Sequence, residues 1–319
     1  MGIYDSVRAV AGADGQGSID WDAAAEATKE ATPPGDLALS GADRQGYAKD
    51  VRDARERLRA VSGLDFETPE TIELQNRHHW VDANVSTLSR VLAPLDDRPA
   101  ALPGVARRAN TASMAVSLSF LARHVLGQYD PLLLAEGGEH SLYFVHPNVV
   151  AAADSLDTEF ERFRRWIAFH EVTHAAEFGA APWLQPYLEE RIQDAVLSIE
   201  DADLGALGDE GPLGEVMVAM TAVEGYAELL MDHAFDEEYE DLRRKLDARR
   251  SGGNPLTKLM RRLLGLGLKR QQYERGKAFF EAVADQRDLE TAALVWEKSE
   301  NLPTEAELDA PAEWVRRVA

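Results

Sequence analysis

The stretch with the clearest capacity for chemistry is WIAFHEVTHAAEF, residues 166–178, in which His170 and His174 stand four apart and Glu171 follows the first histidine. On a helix, residues four apart lie about 40° from each other with roughly 6 Å of rise, so both imidazoles can aim a nitrogen at one point. Two ligands of a tetrahedral zinc would then be in place. Glu171 projects about 100° further round, close enough to take a proton from a metal-bound water without ligating the metal. That division of labour, two ligands and a general base, is what makes HExxH a hydrolytic motif.

A catalytic zinc needs a third protein ligand. The extended pattern HExxHxxGxxH fails here, because position 177 is Glu and position 180 is Ala. Glu177 lies roughly 10 Å of helix rise beyond His170, too far to share a metal on an unbroken helix. A better source is EVMVAMTAVEGYAELLMDHAF, apolar on every side from Val216 to Leu230 apart from Thr221, Glu224, Tyr226 and Glu228. A bare carboxylate there is costly, so it should be paired, protonated or metal-bound. Glu224 is read as the third ligand, and Glu228, on the same face, as a second carboxylate that accepts a hydrogen bond from a ligand histidine. Glu189 and Glu190 compete for the third position, although their flanks read as an exposed face.

The elements that must hold these groups are mainly helical. Ile167, Ala168, Phe169, Val172, Thr173, Ala175 and Ala176 flank the motif without a charge, so its helix is expected to be buried almost all round. An amphipathic helix is expected from Ser40 to Gly63, with apolar residues from Tyr47 on, and others around 80–91, 106–125, 159–178, 183–199, 213–235, 238–249, 258–283 and 289–296. One segment reads differently: SLYFVHPNVV, after the turn signal AEGGEH, is aromatic and β-branched, and is expected to be a strand that stops at Pro147. The expectation is a mainly α fold with a small β element, in a single domain over 1–319. Its parts are an N-terminal arm (1–40), an N-terminal helical part (41–105), a metal-site core (106–235) and a C-terminal helical part (236–319). DARRSGGNPL, 247–256, is the clearest flexible joint in the second half.

The chain carries 34 basic against 56 acidic residues, a net −22, and only seven of the basic residues are Lys. Phosphate backbones and anionic membranes would be repelled, so nucleic acid and membrane are poor partners. A 45% hydrophobic content is too apolar for disorder. The Arg-over-Lys, acid-rich surface instead suggests a halophilic source. With no cysteine, any metal is held by His, Asp or Glu. MGIYDSVRAV lacks a basic flank and an apolar core, and no window is long enough for a membrane span, so a cytoplasmic location is expected.

Over most of its length the chain resembles the zincin-like metallopeptidase type 2 family. The likeness runs through IDWDAA, NRHHWVDANV, LGQYDPLL, VHPNV, RRWIAFHEVTHAAEF, VEGYAELLMD, KRQQYERGKAFFEAV and ENLPTEAELDAPAEWVRR. Family members are often labelled as hydrolases or as associated with biosynthesis of the deazaflavin coenzyme, and no residue here accounts for the second label. The resemblance implies a mostly helical zincin-like fold with its HExxH residues at His170, Glu171 and His174 and a downstream glutamate at Glu224. It also implies an edge strand beside the site that pairs with an extended peptide, a role SLYFV would suit.

The function expected is hydrolysis of a peptide or small amide, with one zinc per chain and water in the fourth position. The alternative is a non-catalytic protein in which zinc clips two helices together and the cleft binds a partner. A donor to the transition state is not obvious. His233 and Tyr226 are turned away from Glu224, and Tyr273 would have to return from a distant segment.

Overall fold

Helix boundaries follow capping chemistry. Ser40 and Asp43 form a reciprocal capping box at the start of one long helix, and Gly63, at φ 64°, ends it in the left-handed conformation that glycine adopts without strain. The computed structural model describes residues 9–11, 17–93, 103–129, 141–200, 211–235, 239–250 and 271–319. Its main helices are α1 (Trp21–Ala31), α2 (Gly41–Ser62), α3 (Arg77–Val91), α4 (Pro103–Ala122), α5 (His146–Ser155), α6 (Phe160–Ala180), α7 (Leu184–Glu200), α8 (Pro212–Ala234), α9 (Glu240–Arg250), α10 (Gln271–Gln286), α11 (Leu289–Ala293), α12 (Glu305–Leu308) and α13 (Pro311–Val318). The strands are β1 (Thr71–Gln75), β2 (Gly127–Tyr129) and β3 (Ser141–Val145). The fold is mostly helical with one small sheet, as expected.

The sheet is ordered β1-β3-β2, with β1 parallel and β2 antiparallel to β3. SLYFV is therefore the central strand, with both edges paired, and cannot be the edge expected of it. Among the described residues the outer strands are β1 and β2. The expected strand also ends early: HPNVV opens α5, with Pro147 in its first turn, where a missing N–H costs nothing. The turn AEGGEH and most of the joint 247–256 fall outside the described residues, as does 258–270 of an expected helix.

Side chains alternate across β3 and divide two cores. Leu142 and Phe144 enter the larger one, with residues of α2, α5, α6, α8 and α10, while Val145 enters a smaller one with Ile19, Ala24, Trp80, Val81, Met114 and Leu118. Part of the segment expected as an arm is thus built in: Ala24, Ala27 and Thr28 of α1 are buried.

Two features fix the helices that matter. Arg164 of α6 donates to Asp50 of α2 at 2.7 Å, a buried ion pair, and Arg165 donates to Asp53 at 2.7 Å. Where α8 meets α10, Gly225 and Gly276 lie face to face. A Cβ on Gly225 would stand 2.3 Å from the Gly276 carbonyl carbon, and one on Gly276 would stand 2.3 Å from the Thr221 oxygen. The motifs around these glycines are explained by packing, because only hydrogen fits between the backbones. The C-terminal motif is likewise structural: Trp314 donates to the Asn301 carbonyl at 2.7 Å, and Arg317 clamps Glu307 while reaching the carbonyls of Glu300 and Leu302. No helix among the described residues is long and apolar enough to cross a membrane.

Candidate metal centre

The histidine motif lies in the second half of α6, whose buried residues include Ile167, Ala168, Phe169, Val172, Thr173, Ala175 and Ala176. Helical spacing turns His170 and His174 the same way, and their Nε2 atoms approach to 3.2 Å. The His170 ring is steadied by a stacked contact with Trp166, with centroids 5.5 Å apart. From α8, Glu224 completes the group: one ligand atom from each of His170, His174 and Glu224 lies within 4.8 Å of the others.

These donors fit a zinc ion. Two nitrogens at ordinary Zn–N distances on a tetrahedral ion stand roughly 3.3 Å apart, close to the separation found. Histidine and carboxylate are also the donor types such a site takes in a chain without cysteine. The three residues could hold a metal ion.

Local electrostatics favour a cation there. Burial works against a protonated His174, but the carboxylates of Glu177, Glu224 and Glu171 outweigh it and push the imidazole up to about 9. Burial drives the Glu171 carboxyl up to about 7, opposed by His174 and reinforced by Glu224. Without an ion the pocket holds a proton; a divalent cation meets the same demand for positive charge.

Glu171 is 6% exposed and accepts a hydrogen bond from the Tyr129 N–H of β2 at 3.2 Å. Gly127 permits the approach, since a Cβ there would come within 2.6 Å of the Glu171 Cγ. Neither contact was foreseen: GQY is too short a strand to show alternation.

The carboxylate hydrogen-bonded to a histidine of the motif is Glu177. His174 Nδ1–H donates to Glu177 Oε2 at 2.9 Å, which leaves Nε2 free for a metal. Three residues apart on one helix, the two side chains are neighbours. The signal in the sequence is the spacing alone, an acid three residues after a histidine; the structure adds that Glu177 is fully buried. Glu228 lies a turn beyond Glu224, where its charge helps to raise the pKa of Lys277.

Other candidates stand apart. Glu189 faces Arg90 at 3.5 Å, and Glu190 pairs with Arg191 at 2.8 Å. His233 donates to the Leu229 carbonyl, Tyr226 to that of Ser62, and His146 meets the Tyr47 hydroxyl at 3.2 Å. The Tyr273 side chain falls outside the described residues.

Comparison with known proteins gives two matches. The family model described as zincin-like metallopeptidase matches residues 19–315. A protein whose crystal structure is described as that of "a putative hydrolase with a novel fold from Chloroflexus aurantiacus" is similar at 27% identity and a TM-score of 0.74, over 98% of this chain and 97% of that one. No curated protein matches. With the family model running from the residue before the α1 cap into the last helix, the chain belongs to the zincin-like metallopeptidase family.

Proposed function

We propose that the protein is a zinc-dependent hydrolase, a metallopeptidase that cuts a peptide or small amide, with one zinc per chain held by His170, His174 and Glu224. Family membership and the likeness to a protein described as a hydrolase support the hydrolase reading. The observation that carries it is the pair of Nε2 atoms at 3.2 Å, with a ligand atom from each of His170, His174 and Glu224 within 4.8 Å of the others.

When bound, zinc supplies a Lewis acid that acidifies water and polarises a carbonyl. The chain does the rest. Glu177 holds the proton of His174 on Nδ1, so that Nε2 presents its lone pair. Glu171 is the general base: Tyr129 N–H engages Oε2, and the carboxylate takes the proton of the attacking water and returns it to the departing amine.

Elemental analysis of protein purified in high salt tests the site. Wild type should carry near one zinc per chain and Glu224→Ala far less. Glu171→Gln should keep the metal and lose turnover on a fluorogenic peptide library. A wild type free of zinc would overturn the metal reading, and an active Glu171→Gln enzyme would overturn the mechanism.

A further inference from the structure

We propose that Gln128, gripped by Trp80 and Asn84, is a positioning residue for Glu171. The inference rests on the general-base role proposed for that glutamate.

NRHHWVDANV and LGQYDPLL are two of the stretches through which the family resemblance runs, yet neither holds a residue of the candidate metal group. The structure joins them. Gln128 stands between Gly127 and Tyr129 in β2, so its side chain leaves the face opposite theirs. There the Trp80 indole N–H donates to Gln128 Oε1 at 2.7 Å, the Gln128 amide donates to Asn84 Oδ1 at 3.2 Å, and the Asn84 amide donates to the Trp80 carbonyl at 2.8 Å. Trp80 is 3% and Asn84 6% exposed while Gln128 is half-buried, so most of this ring of hydrogen bonds is withdrawn from water and costly to break.

On the near face the two neighbours of Gln128 in the strand, Gly127 and Tyr129, meet Glu171. Gly127 lies flat against its side chain, and the Tyr129 N–H is the one hydrogen bond its carboxylate receives among the described residues. β2 is also held by three residues of pairing with β3, a short tether for an edge strand, and by the Tyr129 ring against Phe178 with centroids 5.9 Å apart. The grip on Gln128, next to Tyr129 in the strand, helps to set where the Tyr129 N–H stands, and with it which carboxylate oxygen is engaged and which is free to accept a proton. A base works only within hydrogen-bond reach, and a misplacement of about 1 Å costs on the order of 100-fold in rate.

A network that merely fastened α3 to the sheet would not act through Glu171, and a double-mutant cycle separates the two cases. Gln128→Leu and Trp80→Phe are made in the full chain, alone and with Glu171→Gln. In metal-free protein, NMR follows exchange of the Tyr129 amide. In zinc-loaded protein, binding of acetohydroxamic acid is titrated; on chelation this probe gives up its hydroxyl proton, which Glu171 receives.

Each single variant at 128 or 80 should speed Tyr129 exchange while leaving Phe169 protected. Each should keep its zinc and weaken the hydroxamate about tenfold. Combined with Glu171→Gln, neither should weaken it further. Unchanged exchange, unchanged hydroxamate affinity, or penalties that simply add would overturn the inference. If wild type binds no zinc, the proposed function fails and the amide exchange alone decides. If Gln128→Leu does not fold, Trp80→Phe carries the test, with Gln128→Glu, which retains an acceptor for the indole, expected to fall between it and wild type.

Discussion

Replacing Gly276 by alanine sets two effects of opposite sign against each other. Alanine in a helix interior is favoured over glycine by about 1 kcal/mol, so an unencumbered Gly276→Ala would be more stable than wild type. The structure predicts the reverse. The new Cβ would sit 2.3 Å from the Thr221 oxygen and 3.0 Å from its Cγ2, and the nearer contact is backbone that cannot rotate away. Relief requires α8 and α10 to separate by about 1 Å, and overpacking of this kind costs up to about 3 kcal/mol. The net expectation is a loss of about 2 kcal/mol, read as a lower urea midpoint with an unchanged slope. Thr221 is one turn before Glu224, so the same displacement should carry that carboxylate away from the histidines and weaken zinc about tenfold in competition with a chelating dye. Gly104→Ala in α4 is the control, since nothing lies within 4 Å of its Cβ position. A Gly276→Ala protein as stable as wild type, with unchanged zinc affinity, would refute both the close crossing and its role in placing Glu224.

Three further perturbations test other parts of the structure. Glu177→Gln removes the charge on His174 Nδ1; zinc affinity should fall roughly 10- to 100-fold, and in the metal-free protein the His174 pKa, followed by NMR, should drop from its raised value near 9. Arg317→Ala breaks the clamp on Glu307 and should cost about 1–2 kcal/mol in urea unfolding at neutral pH. Because the Arg317 guanidinium holds the Glu307 carboxyl below its ordinary range, that difference should be constant above the ordinary glutamate pKa and shrink as pH falls through the lowered one, leaving the part owed to the Glu300 and Leu302 carbonyls. A net charge of −22 implies self-repulsion that salt screens, so the urea midpoint should rise between about 0.1 and 2 M KCl; a midpoint that does not move would count against a halophilic origin.

The parts of the fold that could be read from sequence were those whose signal is local and repeated. The helix of HEVTH announced itself through uncharged flanks, and α8 through a long apolar run broken by few polar residues, one of them Glu224. Periodicity identifies the inward face of such helices, and two inward faces bearing donors make a plausible meeting point. It does not identify what stands opposite. Nothing in TIELQ or GQY distinguishes strands from loop, because five and three residues give alternation no room to repeat. SLYFV is recognisable as a strand, but centre and edge differ only in what pairs alongside, and its partners stand 70 residues earlier in β1 and, in β2, before residues 130–140.

The carboxylate on His174 is a different kind of omission, because the information was local. Glu228 shares a face with Glu224, but that spacing places an acid beside Glu224, not beside a histidine on another helix. Glu177, three residues after His174, satisfies the geometric rule directly: a carboxylate at that spacing can reach Nδ1 of the ring whose Nε2 looks the other way. Rejecting it as a ligand used the right distance for the wrong atom. About 10 Å of helix rise separates Glu177 from His170 but only about 4.5 Å separates it from His174, so the rise that excludes it from the metal is what assigns it to the back of the second histidine. Gln128 offers no such local route, since its partners come from α3 and its beneficiary from α6. Side chains that position a base through the backbone of a third element become visible only when all three are folded together.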